Sequence, residues 1–89
     1  MYSPTIIEYL GTCLLIGAIA FTGTPVLIVA AFAVAVGLGG KVSGGHFNPA
    51  VTLWALAENK INKQKALSYI MAQIGAALTI WLTKSLVHA

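Results

Sequence analysis

Apolar residues run along this chain in four blocks, separated by short polar or glycine-rich stretches. The first block is Thr5 to Phe21, interrupted by Glu8; the second is Pro25 to Gly40; the last is Ala66 to Leu82. Each approaches the roughly 20 residues that an α-helix needs to cross about 30 Å of hydrocarbon. The second is short and needs flanking residues or a thinned bilayer to span. The pattern predicts transmembrane helices over 5–22, 25–41 and 65–83. Between the second and third lies Ala50 to Ala57, apolar but far too short to cross. It predicts a half-helix over 49–58, preceded by a re-entrant loop over 42–48.

Punctuation supports this division. Thr22-Gly23-Thr24-Pro25 is a short link that implies an antiparallel hairpin, with Pro25 in the first turn of the second helix. Glu58 to Gln64 is the polar loop before the last span. Ala18-Ile19-Ala20 looks like a leader-peptide cleavage site, but no basic residue precedes Lys41, so a cleaved signal is not the favoured reading. No linker or internal repeat divides the chain, and 1–89 reads as one unit.

Composition turns the pattern into a class. Hydrophobic residues make up 58% and charged residues 8%, with a mean hydropathy of +0.89. A soluble domain is about 25% charged, so the chain reads as an all-α integral membrane protein in contact with a lipid bilayer. Disorder requires high polarity and high net charge, which are missing here. One cysteine gives no disulfide framework. The net charge of +3 comes from lysines too scattered to track a phosphate backbone, so no nucleic-acid partner is expected. Two His, two Glu and Cys13 offer no nucleophile–base pair and no metal-ligand set, so neither an enzyme nor a cofactor or metal is expected.

The chemistry concentrates in Val42-Ser43-Gly44-Gly45-His46-Phe47-Asn48-Pro49-Ala50-Val51-Thr52-Leu53. Gly44 and Gly45 permit unusual backbone dihedrals. Asn48 is a good N-cap, and Pro49 suits the first helical position, where no N–H is needed. A helix from there to Glu58 is about 14 Å long, half a bilayer. Backbone left unpaired at membrane depth is tolerated only where it is buried in protein or lines a wet cavity. The carbonyls of Gly44, Gly45, His46 and Phe47 would then form a row of acceptors. The Asn48 oxygen caps its own helix and leaves the NH2 as a donor, while the positive helix end disfavours cations. Such a row suits small neutral polar molecules.

Ser43 to Thr52, Ser-Gly-Gly-His-Phe-Asn-Pro-Ala-Val-Thr, strongly resembles the first Asn-Pro-Ala loop of the aquaporin and glycerol-facilitator (major intrinsic protein) family. Ile7-Glu8-Tyr9-Leu10-Gly11-Thr12 and Ala72-Gln73-x-Gly75-Ala76 look like that family's first- and third-helix signatures. The resemblance covers nearly the whole chain but only the family's first half. It implies half of the aquaporin fold: three transmembrane helices plus one re-entrant half-helix. There is no second Asn-Pro-Ala and no arginine, so by the family plan one copy does not enclose a channel.

The resemblance also implies roles. Asn48 is the pore donor, and Pro49, Ala50 and Val51 pack the half-helix tip against its opposite number. Glu8 accepts hydrogen bonds from the loop backbone, and Gln73 supports the loop or half-helix. His46 acts through its backbone carbonyl, with the side chain as a buttress. Ile28 falls twenty positions before Asn48, where the family places a filter residue. The N-terminus is cytoplasmic, which puts Lys41, Lys60, Lys63 and Lys65 inside and Lys84 outside, in line with the positive-inside rule. The expected partner is an antiparallel second copy or a chain resembling the second half. A non-conducting half-channel that joins full-length channels is the alternative reading. Cys13, Trp54 and Trp81 read as packing or interface residues, and Ala33-x3-Gly37 and Ala72-x3-Ala76 as small-residue pairs that permit close helix contact.

Overall fold

The structure, a computed structural model, describes residues 3–88. It contains α1 (Pro4–Phe21), α2 (Pro25–Ser43), α3 (Pro49–Ala57) and α4 (Lys63–Val87). Among the described residues all regular structure is helical, and α1, α2 and α4 are each long and apolar enough to cross a membrane.

Local chemistry sets the ends. The Ser3 hydroxyl accepts the Thr5 N–H ahead of Pro4, and α1 stops before Gly23, which takes φ 63°. Proline also opens α2 and α3; Asn48 caps α3 through its side chain, whereas Thr24 ahead of α2 makes no side-chain cap bond. Helix α2 continues through Ser43, past the expected end at 41, because the left-handed residue that terminates it is Gly44, at φ 95°. The non-helical loop is therefore confined to 44–48. Helix α4 starts at Lys63, where the Asn62 side chain caps the Lys65 N–H. It outlasts the expected end at 83 because neither Gly nor Pro interrupts Thr83 to Val87.

Helix α1 lies between α2 and α4, and α3 rests on α4. Thr5 and Ser68 share a hydrogen bond of 3.1 Å, and Tyr9 and Thr79 one of 2.6 Å, so α1 and α4 run parallel. Ser43 meets both Glu8 and Tyr69, which brings the end of α2 back to the starts of α1 and α4. Lys41, Lys60, Lys63 and Lys65 thus share one end of the bundle, and Lys84 lies towards the other.

The burial pattern is that of a lipid-facing bundle. Inside are small or polar residues: Ala35, Ala55, Ala66, Ala76, Thr12, Thr52 and Gln73, with Phe47 and Tyr69 as the bulky exceptions. Outside are large apolar ones, with Leu38 81% and Trp81 64% exposed. Small residues at helix contacts let backbones approach where no hydrophobic force drives association. Trp54 is also exposed, with the Lys60 ammonium 5.5 Å from its ring centre. Cys13 is half-buried. An apolar cleft of about 230 Å³ opens between α1 and α2, walled by Leu10, Leu14, Val34 and Leu38 and floored by Phe47.

Candidate functional site: a re-entrant loop held by a buried carboxylate

Glu8 sits in the second turn of α1 and is fully buried. Its Oε1 accepts the Phe47 N–H at 2.7 Å and the Gln73 amide at 2.9 Å. Its Oε2 accepts the Ser43 hydroxyl at 2.7 Å and the His46 N–H at 3.0 Å. Four donors on two oxygens are what an ionised carboxylate takes, because it has acceptors only. Among the described residues these partners are all formally neutral. A charge in hydrocarbon costs several kcal/mol on insertion scales, and charge-assisted bonds offset that cost at about 1.5–3 kcal/mol each. In return, two loop N–H groups that no helix can satisfy find an acceptor.

The loop conformation follows from this anchor. Gly44 and Gly45 take φ 95° and 66°, where a side chain is strained. Phe47 takes φ 51°, a conformation uncommon outside glycine. Its N–H is pinned by Glu8 and its ring is wedged between α1 and α2. A Cβ on Gly11 would collide with that ring, and one on Gly39 would lie 2.7 Å from Ile7 Cγ2. The Phe47 side chain is therefore a plug in the helix packing. The Ser43 hydroxyl also accepts the Gly45 N–H at 3.1 Å, and the Ser43 carbonyl accepts the Tyr69 hydroxyl at 2.6 Å.

Asn48 caps α3: its Oδ1 accepts the Ala50 N–H at 2.8 Å. Asn48, Pro49, Ala50 and Val51 are all exposed, so the tip of the half-helix is left open by the described residues. Thr52, one turn on, is fully buried. Its hydroxyl meets the Gln73 amide nitrogen and His46 Nδ1, both at 2.9 Å. The His46 ring stands edge-on to Tyr69 at 5.2 Å. Ile28 is half-buried in the first turn of α2. It lies fifteen residues, about 22 Å along the helix, from the end of α2 that carries the loop, so the chain does not bring it to the Asn48 site.

The structure thus gathers Glu8, Gln73, Gly45 and His46 around the loop, leaves Asn48 to Val51 open, and keeps Ile28 apart. The sequence motifs contain Ser43, Thr52 and Thr12 but assign them no role, and Tyr69 lies outside them. Tyr69 and Gln73 are four apart in an apolar run, hence on one helix face, and that spacing was the available signal. Thr12 and Glu8 have the same spacing, and the Thr12 hydroxyl bonds the Glu8 carbonyl at 2.6 Å.

Comparison with known proteins places the chain in a family. Residues 12–88 match the family described as major intrinsic protein. A glycerol uptake facilitator-like protein of Lactiplantibacillus plantarum is 40% identical over 92% of this chain and 43% of its own length. A probable TIP-type aquaporin of Medicago truncatula is 42% identical over 63% of the chain and 24% of its own length. Mouse aquaporin-5 is 46% identical over 48% of the chain and 18% of its own length. The chain therefore spans less than half the length of these relatives. No solved structure matches it. With three membrane-spanning helices and a family match over most of its length, the chain is an integral, multi-pass membrane protein and belongs to the major intrinsic protein family.

Proposed function

We propose that this chain is a subunit of a passive transmembrane channel for water or small neutral solutes, completed by a second half-channel inserted in the opposite sense. The observation that carries the reading is the open half-helix tip. Asn48 spends its oxygen on its own cap and keeps an exposed NH2, beside loop carbonyls and at the positive end of α3. That arrangement binds a dipole such as water or a polyol hydroxyl and repels a cation. The named activities of the glycerol facilitator-like and aquaporin relatives agree with such a solute class. In the channel, Gly44, Gly45, His46, Phe47 and Asn48 line the path, and Ile28 lines it at another level. Pro49, Ala50 and Val51 meet the opposing tip, and Glu8 and Gln73 hold the loop. The opposing half is a second copy in antiparallel orientation, the arrangement of inverted repeats.

The lysine distribution favours a second reading. Four of five lysines lie at one end of the bundle, which biases insertion towards one orientation. A separate chain resembling the family's second half would then complete the pore.

Stopped-flow swelling and shrinking of liposomes that hold this chain alone tests the proposal, with water and glycerol as solutes. The expected result is permeability above that of empty liposomes, abolished by Asn48→Asp, which keeps the cap acceptor but replaces the donor with a charge. Equal permeability of the variant contradicts the role of Asn48. No permeability from well-folded protein contradicts self-completion and turns the search to a second-half chain.

A further inference from the structure

The hydrogens of the buried network can be assigned one after another, and the assignment ends on the His46 ring. Glu8 Oε1 and Oε2 already accept the Phe47 and His46 backbone N–H groups, whose donor role is unambiguous. The Gln73 atom 2.9 Å from Oε1 must then be the amide nitrogen, since a carbonyl oxygen there would face a carboxylate. Its second hydrogen goes to Thr52 Oγ1, also at 2.9 Å. This leaves Gln73 Oε1 as the one buried side-chain polar atom without a partner among the described residues. An orphaned buried acceptor is destabilising. Turning the amide over would satisfy it against Thr52 only by setting oxygen against Glu8, so the carboxylate holds the orientation.

Thr52 Oγ1 therefore accepts from Gln73 and has one hydrogen of its own. Among the described residues its remaining partner is His46 Nδ1. We infer that Thr52 donates to Nδ1, so that His46 is held as the neutral tautomer with its hydrogen on Nε2. Among the described residues Nε2 has no hydrogen-bond partner, and it is not among the buried unpaired atoms. It lies beside exposed Gly44, where a Cβ would approach it to 3.3 Å. The relay from Glu8 through Gln73 and Thr52 turns a donor, not a lone pair, to the open edge of the loop. Gln73 and Thr52 are positioning residues that set the polarity of a ring neither carries.

The assignment rests on hydrogen-bond accounting alone. Its consequence, that solutes meet a second donor near Asn48, rests on the channel reading.

Nitrogen-15 NMR of imidazole-labelled chain in lipid bilayers at neutral pH tests it, in a His88→Gln background so that His46 alone reports. The expected spectrum has a bare, hydrogen-bonded Nδ1 and a protonated Nε2. Thr52→Val should cut the preference for that tautomer about tenfold, the weight of one hydrogen bond, and Thr52→Ser should retain it. A wild-type spectrum with the hydrogen on Nδ1, or with both nitrogens protonated, overturns the inference and needs no variant to fold. An unchanged tautomer in folded Thr52→Val also overturns it. Liposomes that fail to conduct would remove the solute consequence and leave this spectrum as it is.

Discussion

The loop and the half-helix tip that follows it are adjacent in sequence and opposite in character. From Ser43 to Phe47 the loop N–H groups, the Ser43 hydroxyl and carbonyl and His46 Nδ1 are answered within the chain, chiefly by Glu8, Tyr69 and Thr52, while the carbonyls of Gly44 to Phe47 accept no hydrogen bond from the described residues. From Asn48 to Val51 the residues are exposed, and among the described residues the Asn48 side chain bonds only its own helix. The loop is preorganised by this chain's residues. The tip presents a donor and small, apolar neighbours outward. The difference separates two jobs: holding irregular backbone at membrane depth, and offering a surface to something else. Only the first is finished here, and so substitutions in the two regions should fail in different ways.

The largest effect should come from Glu8→Ala. It strands the Phe47 and His46 N–H groups together with Gln73, at about 1–3 kcal/mol for each unsatisfied buried group. Unfolding in mixed micelles, followed by circular dichroism, should show a loss of several kcal/mol or no stable fold; stability within 1 kcal/mol of wild type would break the account of the loop. Gly11→Ala comes next. The added methyl must displace the Phe47 ring, and overpacking costs about 1–3 kcal/mol. The same measurement should find it worse than Gly37→Ala on α2, where a Cβ meets nothing within 4 Å.

Smaller still is Tyr69→Phe, which removes the bond to the Ser43 carbonyl at about 1 kcal/mol. The smallest effect on stability belongs to the tip. Asn48→Asp keeps a capping oxygen, and its charge suits a helix N-terminus. Its unfolding should match wild type to within about 0.5 kcal/mol, although the proposed channel loses its donor. A destabilisation as large as that of Glu8→Ala would erase the distinction between the regions.

Much of this was legible in the sequence because membrane constraints are blunt. Three apolar runs and one short run in the order 5–21, 25–40, 50–57 and 66–82 leave little freedom. Asn48-Pro49 marks a helix start by cap chemistry alone. What stayed hidden was where side chains turn. Phe47 sits among residues read as lining, yet its ring fills the gap left by Gly11 and Gly39, and nothing local to the motif reveals that. Tyr69 and Thr52 looked like ordinary polar residues until the bundle brought them to the loop. Ile28 was placed by counting from Asn48, and a count along a helix gives depth but not the face it lines.

The central claim is that the exposed tip meets an opposing tip. It is tested most directly by cross-linking Ala50→Cys in a Cys13→Ser background, in liposomes under mild oxidation. The account predicts a disulfide-linked dimer that Leu86→Cys, in the same background and far along α4, does not give. A disulfide requires Cα atoms within about 7 Å, so the bond would place two tips face to face. Monomer alone, from protein that conducts water, would contradict the pairing of two copies through Asn48, Pro49 and Ala50.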